Sequence, residues 1–292
     1  MRWDPSHESR DVIDRRGEQG PSQAGGGLGG LLFLVPWLMR SRLGRLVLVG
    51  AAIFAIARAV MSGGVNSQRV NGSTSSQTGA QPETPEVHFV SFVLDDVQAS
   101  WGDQFVRLGV PYRHAKLVLF TNATQTGCGF GEAATGPFYC PTDERVYIDL
   151  GFFRELSNKL GARGQFAQAY VLAHEIGHHV QKLLGITQRV DGMRRTQGAA
   201  GASVRLELQA DCFAGIWAHS TQQRDLLEAG DIESAIGAAA AVGDDRLQRQ
   251  SSGTVSPDSW THGSSEERVR WFRRGYDSGS IPACDTFSAQ QL

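Results

Sequence analysis

The residues best equipped for chemistry are His174, Glu175 and His178, which form an H-E-x-x-H set within Ala173-His174-Glu175-Ile176-Gly177-His178-His179. On a helix, positions i and i+4 share a face, so two imidazoles at this spacing project together and can hold one zinc ion. Glu175 lies beside that face, where a general base would take a proton from an attacking water. Two ligands leave a hydrolytic zinc site incomplete, because such sites use three protein ligands and one open position. The stretch Leu206-Glu207-Leu208-Gln209-Ala210-Asp211 offers the remainder. Glu207 and Asp211 stand one turn apart in a strongly apolar segment, and a carboxylate on a buried face needs a partner. Glu207 is the expected third ligand. Asp211 is the expected acceptor for the outer ring N–H of a ligating histidine.

His262, in Thr261-His262-Gly263-Ser264-Ser265, is a further catalytic candidate. Ser264 and Glu267 fit a capping box, so the N–H groups of the following helix face this turn. Next to a zinc site His262 would stabilise a developing oxyanion; the plainer alternative is a structural hydrogen bond within the loop. His179 projects about 100° from His178 on a helix and is expected as a packed neighbour. His219 ends a helix, and His7, His88 and His114 show no partner in the sequence. Arg268, Arg270, Arg273 and Arg274 read as a solvated basic face.

Helices are expected over Val87–Leu108, Gln165–Leu184, Ser203–Ser220, Asp231–Val242 and Ser265–Tyr276. Strands are expected over Lys116–Thr121 and Arg145–Leu150, from their β-branched and aromatic content. Strands followed by helices, without a repeating strand–helix alternation, give an α+β class: a small sheet packed on helices. The strand Val146–Leu150 offers an edge for an extended peptide.

The folded domain is expected over residues 87–292. Residues 1–30, polar and Gly-rich, read as a disordered cytoplasmic tail. Residues 31–65 hold Leu31–Met39, broken by Pro36, and the cleaner run Leu46–Ala57. Extended to Val65, the second run reaches the ~20 residues of a membrane-spanning helix. Arg40, Arg42 and Arg45 on its N-terminal flank orient a single-pass anchor with the folded domain outside the cytoplasm. A cleaved signal and a soluble core helix are the alternatives. Residues 66–86 read as a linker.

Four cysteines, Cys128, Cys140, Cys212 and Cys284, form no C-x-x-C pair. Outside the cytoplasm they suit two disulfides, with Cys128–Cys140 and Cys212–Cys284 as the favoured pairing; in a cytosolic protein they would be buried thiols. With 28 Lys+Arg against 30 Asp+Glu, the chain lacks the basic footprint of a nucleic-acid binder.

H-E-x-x-H followed by E-x-x-x-D on a later helix resembles the gluzincin arrangement of thermolysin-like enzymes. More closely, the chain resembles the neutral zinc metallopeptidase family of bacterial membrane-anchored proteins. The matching pieces are Met1-Arg2-Trp3 with Asp14-Arg15-Arg16-Gly17, Gly136 to Pro141, His174 to Gln181, Glu207 to Gly215, and Thr261 to Ser265 with Arg268 to Phe272. The resemblance implies a zincin-like catalytic domain, a zinc cofactor and a peptide or protein substrate. The expected reaction is peptide-bond hydrolysis by a zinc-activated water, with Glu175 as base and then acid. A membrane-anchored binding protein with a structural zinc, and a zinc amidase acting on a non-peptide amide, are the competing readings.

Overall fold

The computed structural model describes residues 1–18, 84–197 and 199–292. Among the described residues the first helix, α1 (Pro85–Leu108), opens with proline where a missing N–H costs nothing and stops at Gly109, φ 71°. Val90, Val93, Leu94, Val97, Trp101 and Phe105 recur at helical spacing, and all are buried.

The main sheet has the order β1-β2-β6-β5. Its strands are β1 (Val12–Asp14), β2 (Lys116–Phe120), β5 (Phe138–Cys140) and β6 (Arg145–Asp149). β1, β2 and β6 run parallel, whereas β5 is antiparallel to β6. Leu117 and Leu119 point into the helical core, and Val118 and Phe120 into a second cluster with Tyr147 and Cys140. A near-continuous apolar strand is what burial on both faces demands. A separate hairpin pairs β3 (Ala123–Thr126) with β4 (Gly129–Glu132). β6 is flanked by β2 and β5, so among the described residues the edge strands are β1 and β5, and not the strand at Val146–Leu150.

Seven α-helices follow among the described residues: α2 (Gly151–Asn158), α3 (Gln165–Leu183), α4 (Ile186–Gln197), α5 (Ala199–Gln223), α6 (Asp231–Ala241), α7 (Asp244–Ser252) and α8 (Ser265–Ser278). The α+β class therefore holds as a mixture of small sheets and helices. α5 is the central rod, packed against α3 and α8. At two glycines the backbones nearly touch: a Cβ on Gly275 would lie 1.9 Å from the Cys212 carbonyl oxygen, and one on Gly215 2.1 Å from that of Phe272.

The first 18 residues depart from the expected tail. β1 is a strand of the sheet, and Met1 is buried. They belong to the same compact unit as residues 84–292. Within 1–30 a polar, Gly-rich composition hid a three-residue strand whose partner lies far along the chain. The expected anchor over 31–65 and most of the linker lie outside the described residues; the linker's last two residues, Pro85 and Glu86, are helical. Among the described residues no helix is long and apolar enough to cross a membrane.

Candidate metal centre

α3 and α5 cross at Gly177 and Ala210. A Cβ on Gly177 would sit 3.0 Å from the Ala210 carbonyl oxygen, so the bare glycine permits the approach. His174 and His178 flank Gly177 at −3 and +1, and Glu207 and Asp211 flank Ala210 in the same way. The close crossing thus sets the two histidines of α3 against the two acids of α5.

His174, His178 and Glu207 offer ligand atoms that all lie within 4.8 Å of one another. His174 Nε2 is 3.1 Å from one Glu207 oxygen, and His178 Nε2 is 3.5 Å from the other. Each imidazole is oriented from behind. His174 Nδ1 donates to Asp211 at 2.8 Å, and His178 Nδ1 donates to Gln181 Oε1 at 2.9 Å. With both Nδ1 atoms donating, each Nε2 of a neutral ring turns a lone pair toward the Glu207 carboxylate. Such a convergence of lone pairs is stable only with positive charge in its midst. Two nitrogens and a carboxylate oxygen are a zinc donor set, and ligands about 2.0–2.1 Å from a tetrahedral zinc stand about 3.3 Å apart. The observed 3.1 and 3.5 Å fit that requirement.

The electrostatics agree. Burial opposes charge on His174, but Asp211 and Glu207 outweigh it and hold its pKa up at about 10. Burial likewise opposes charge on His178, and Glu207 overcomes it. Burial would raise Glu207, yet His178 and His174 drive it well below the carboxylate range. A metal cation would supply the charge that protons otherwise provide.

Glu175 is buried and carries no hydrogen bond to another described residue, so its lone pairs are open to a ligand. Burial raises its pKa, against the pull of His174 and His178. It lines a cavity of about 590 Å³ together with His174, His178, Glu207, His262, Arg268 and β5 residues Phe138 and Tyr139. The edge strand is pinned over α3: Tyr139 O–H donates to His179 Nδ1 at 2.9 Å, and His179 Nε2 donates to the Arg113 carbonyl at 2.6 Å. His179 is therefore a packed strut, with its pKa lowered by burial. Glu144 pairs with Lys182 at 2.8 Å and Arg113 at 2.8 Å, tying the β5–β6 turn to the same helix.

His262 faces this cavity. Asp244, at the start of α7, accepts N–H bonds from Thr261, His262 and Gly263 at 2.6, 2.6 and 3.2 Å, and meets His262 Nδ1 at 3.1 Å. That carboxylate raises the His262 pKa, against burial. The expected capping box is present, with Ser264 and Glu267 bonded reciprocally.

Three residues escaped the sequence reading. Arg268, placed there on a solvated basic face, is 3% exposed. Its Nε and Nη2 donate to the two Asp211 oxygens at 2.8 and 2.9 Å, and Tyr170 O–H also donates to Asp211. The spacing held the signal: Arg268 shares the face of Trp271, Phe272 and Gly275, which is the apolar stripe of α8. Tyr170 lies one turn before His174 on α3. Nothing in the sequence links Asp244 to His262.

Residues 1–287 match the profile of the family described as "Putative neutral zinc metallopeptidase". The chain belongs to that family. It is 47% identical over 297 residues to the uncharacterized protein YpfJ of Escherichia coli strain K12, covering 98% of this chain and 99% of the relative. It is also 47% identical over 192 residues to the uncharacterized protein Mb2605 of Mycobacterium bovis, covering 62% of this chain and 65% of that one. No solved structure matches the chain. Membership in this zinc metallopeptidase family implies zinc, and the donor set fits it.

Both cysteine pairs are bonded, Cys128 to Cys140 and Cys212 to Cys284, with Cα separations of 5.8 and 5.6 Å. The second abuts the metal centre. Gln181, which orients His178, donates to Gln209 at 3.2 Å, and Gln209 donates to the Cys284 carbonyl at 2.9 Å.

Proposed function

We propose that the chain is a zinc-dependent peptidase in which His174, His178 and Glu207 hold the metal and Glu175 is the general base. The observation that carries this reading is the buried Glu175 carboxylate, without a hydrogen-bond partner among the described residues, in the cavity where the three candidate ligands converge. Bound zinc supplies Lewis acidity at the scissile carbonyl. Glu175 takes the proton of the attacking water and passes it to the leaving amine, and its raised pKa suits both halves of that transfer. His262, whose pKa Asp244 raises, donates to the oxyanion. Asp211, fixed by Arg268 and Tyr170, keeps the His174 ring turned so that Nε2 faces the metal position. β5, a free edge bordering the cavity, aligns an extended peptide by strand addition.

We place the domain outside the cytoplasm because it carries two disulfides and no free cysteine among the described residues. Membrane attachment rests on the apolar sequence of residues 31–65.

Glu175→Gln is expected to retain about stoichiometric zinc and lose hydrolysis by a factor of about 10²–10⁴ on a casein-like substrate. Glu207→Ala is expected to lose both. Metal content of the purified protein, read beside chelator-sensitive cleavage, checks the pair. Full activity in Glu175→Gln would remove the base, and zinc retained in Glu207→Ala would remove the third ligand.

A further inference from the structure

The first 18 residues and the chain from residue 84 onward are joined at atomic distances. Leu117 N–H donates to the Asp11 carbonyl at 2.8 Å, and Arg15 N–H donates to that of Leu119 at 2.7 Å. Arg2 N–H donates to the Leu226 carbonyl at 2.8 Å. Side chains add to this seam: Ser9 and His7 bond the Asp95 carboxylate at 2.6 and 2.9 Å, and Gln98 Nε2 donates to Asp11 at 3.1 Å. Trp3 lies edge-on to Phe89 with ring centroids 5.2 Å apart, against a helix that is itself core. The two parts share one sheet and one hydrophobic cluster.

A bilayer's hydrocarbon core is ~30 Å thick. It cannot pass between groups that exchange backbone hydrogen bonds. We propose that residues 1–18 and 84–292 occupy one compartment, so that the chain between them meets the lipid bilayer from one face only and does not cross it once. The proposal rests on the membrane reading of residues 31–65 and changes its form, from a single-pass anchor to attachment on the domain's own side. Length supports the same form. Two complete crossings need ~40 residues, and residues 31–65 number 35. Leu31–Met39 and Leu46–Ala57 are separated by Arg40, Arg42 and Arg45, a cluster suited to lipid headgroups and costly at the bilayer centre.

The test uses the full chain with one added cysteine at a time, Glu8→Cys or Gln222→Cys. Both positions are exposed, and both lie away from the metal centre. Wild type, with its four cysteines bonded, gives the background. A membrane-impermeant maleimide is applied to intact spheroplasts and again after lysis. The expected result is one pattern for both variants: both labelled before lysis, or both labelled only after it. Opposite patterns would overturn the proposal and restore the single crossing. Sedimentation of the membranes of lysed cells in physiological buffer reads attachment separately. Release into the supernatant would remove the membrane reading, while matching labels would still uphold the shared compartment.

Discussion

The Asp211 carboxylate is the point on which the metal centre turns. One buried group accepts from His174, Tyr170 and Arg268, so the imidazole, the phenol and the guanidinium fix one another. His262 is governed in the same manner by Asp244. Because Asp244 raises the His262 pKa, the imidazolium persists to higher pH than in a free histidine. In the proposed role of oxyanion donor His262 must be protonated, so activity is expected to fall as pH rises through that value. Asp244→Asn removes the charge that holds the proton, and the alkaline limb of kcat against pH is expected to move to lower pH. His262→Ala is expected to lower kcat about 10²–10³-fold with zinc content unchanged. A purely structural His262 would leave the limb in place. The sequence exposes the candidate ligands at this scale because H-E-x-x-H and E-x-x-x-D are local patterns with helical spacing. Asp244 is hidden because its tie to His262 joins the first residue of α7 to a distant loop and has no period. Arg268 is hidden because its charge argues for exposure, although its spacing from Trp271 and Phe272 puts it on the buried stripe.

Helix crossings do the positioning at the next scale. α5 must approach α3 closely enough for imidazole and carboxylate to meet, and it must approach α8 closely enough for Arg268 to reach Asp211. Glycine allows both. Gly275→Ala gains about 1 kcal/mol of helix propensity. It also drives a methyl to 1.9 Å from the Cys212 carbonyl, and overpacking of this kind costs about 3 kcal/mol. The clash wins, so urea unfolding is expected to show a net loss of about 2 kcal/mol. An unchanged midpoint would mean that the two helices separate without penalty. Helix positions were readable from apolar spacing and came within a few residues of the observed ends for α1, α3, α6 and α8. α2, α4 and α7 were not foreseen: α2 is short, and the last two have polar sequences. β5 was missed as the edge because three residues give no usable alternation.

The whole molecule is stapled where its centre needs it. Cys212 follows Asp211 directly, and its bond to Cys284 closes a loop with a sequence separation of 72. Cys212→Ala with Cys284→Ala is expected to cost about 2–4 kcal/mol and to weaken zinc retention through the Gln209–Gln181–His178 chain. Thermal unfolding with and without chelator checks this, and equal loss of stability in both would separate the disulfide from the metal centre. The helix start near Val87 is legible from the apolar periodicity that begins there, whereas the N-terminal strand is not, because only a distant pairing reveals it. That pairing also sets an order of events in time. More than a hundred residues separate Val12 from Leu117. At synthesis rates of about 5–20 residues per second, β1 waits on the order of 5–20 s on the ribosome before its partner strand exists. Closing so long a loop is a late step paid in chain entropy. Until it closes, the β2 edge stands open, and the nascent chain passes through a window in which it can pair with a stranger.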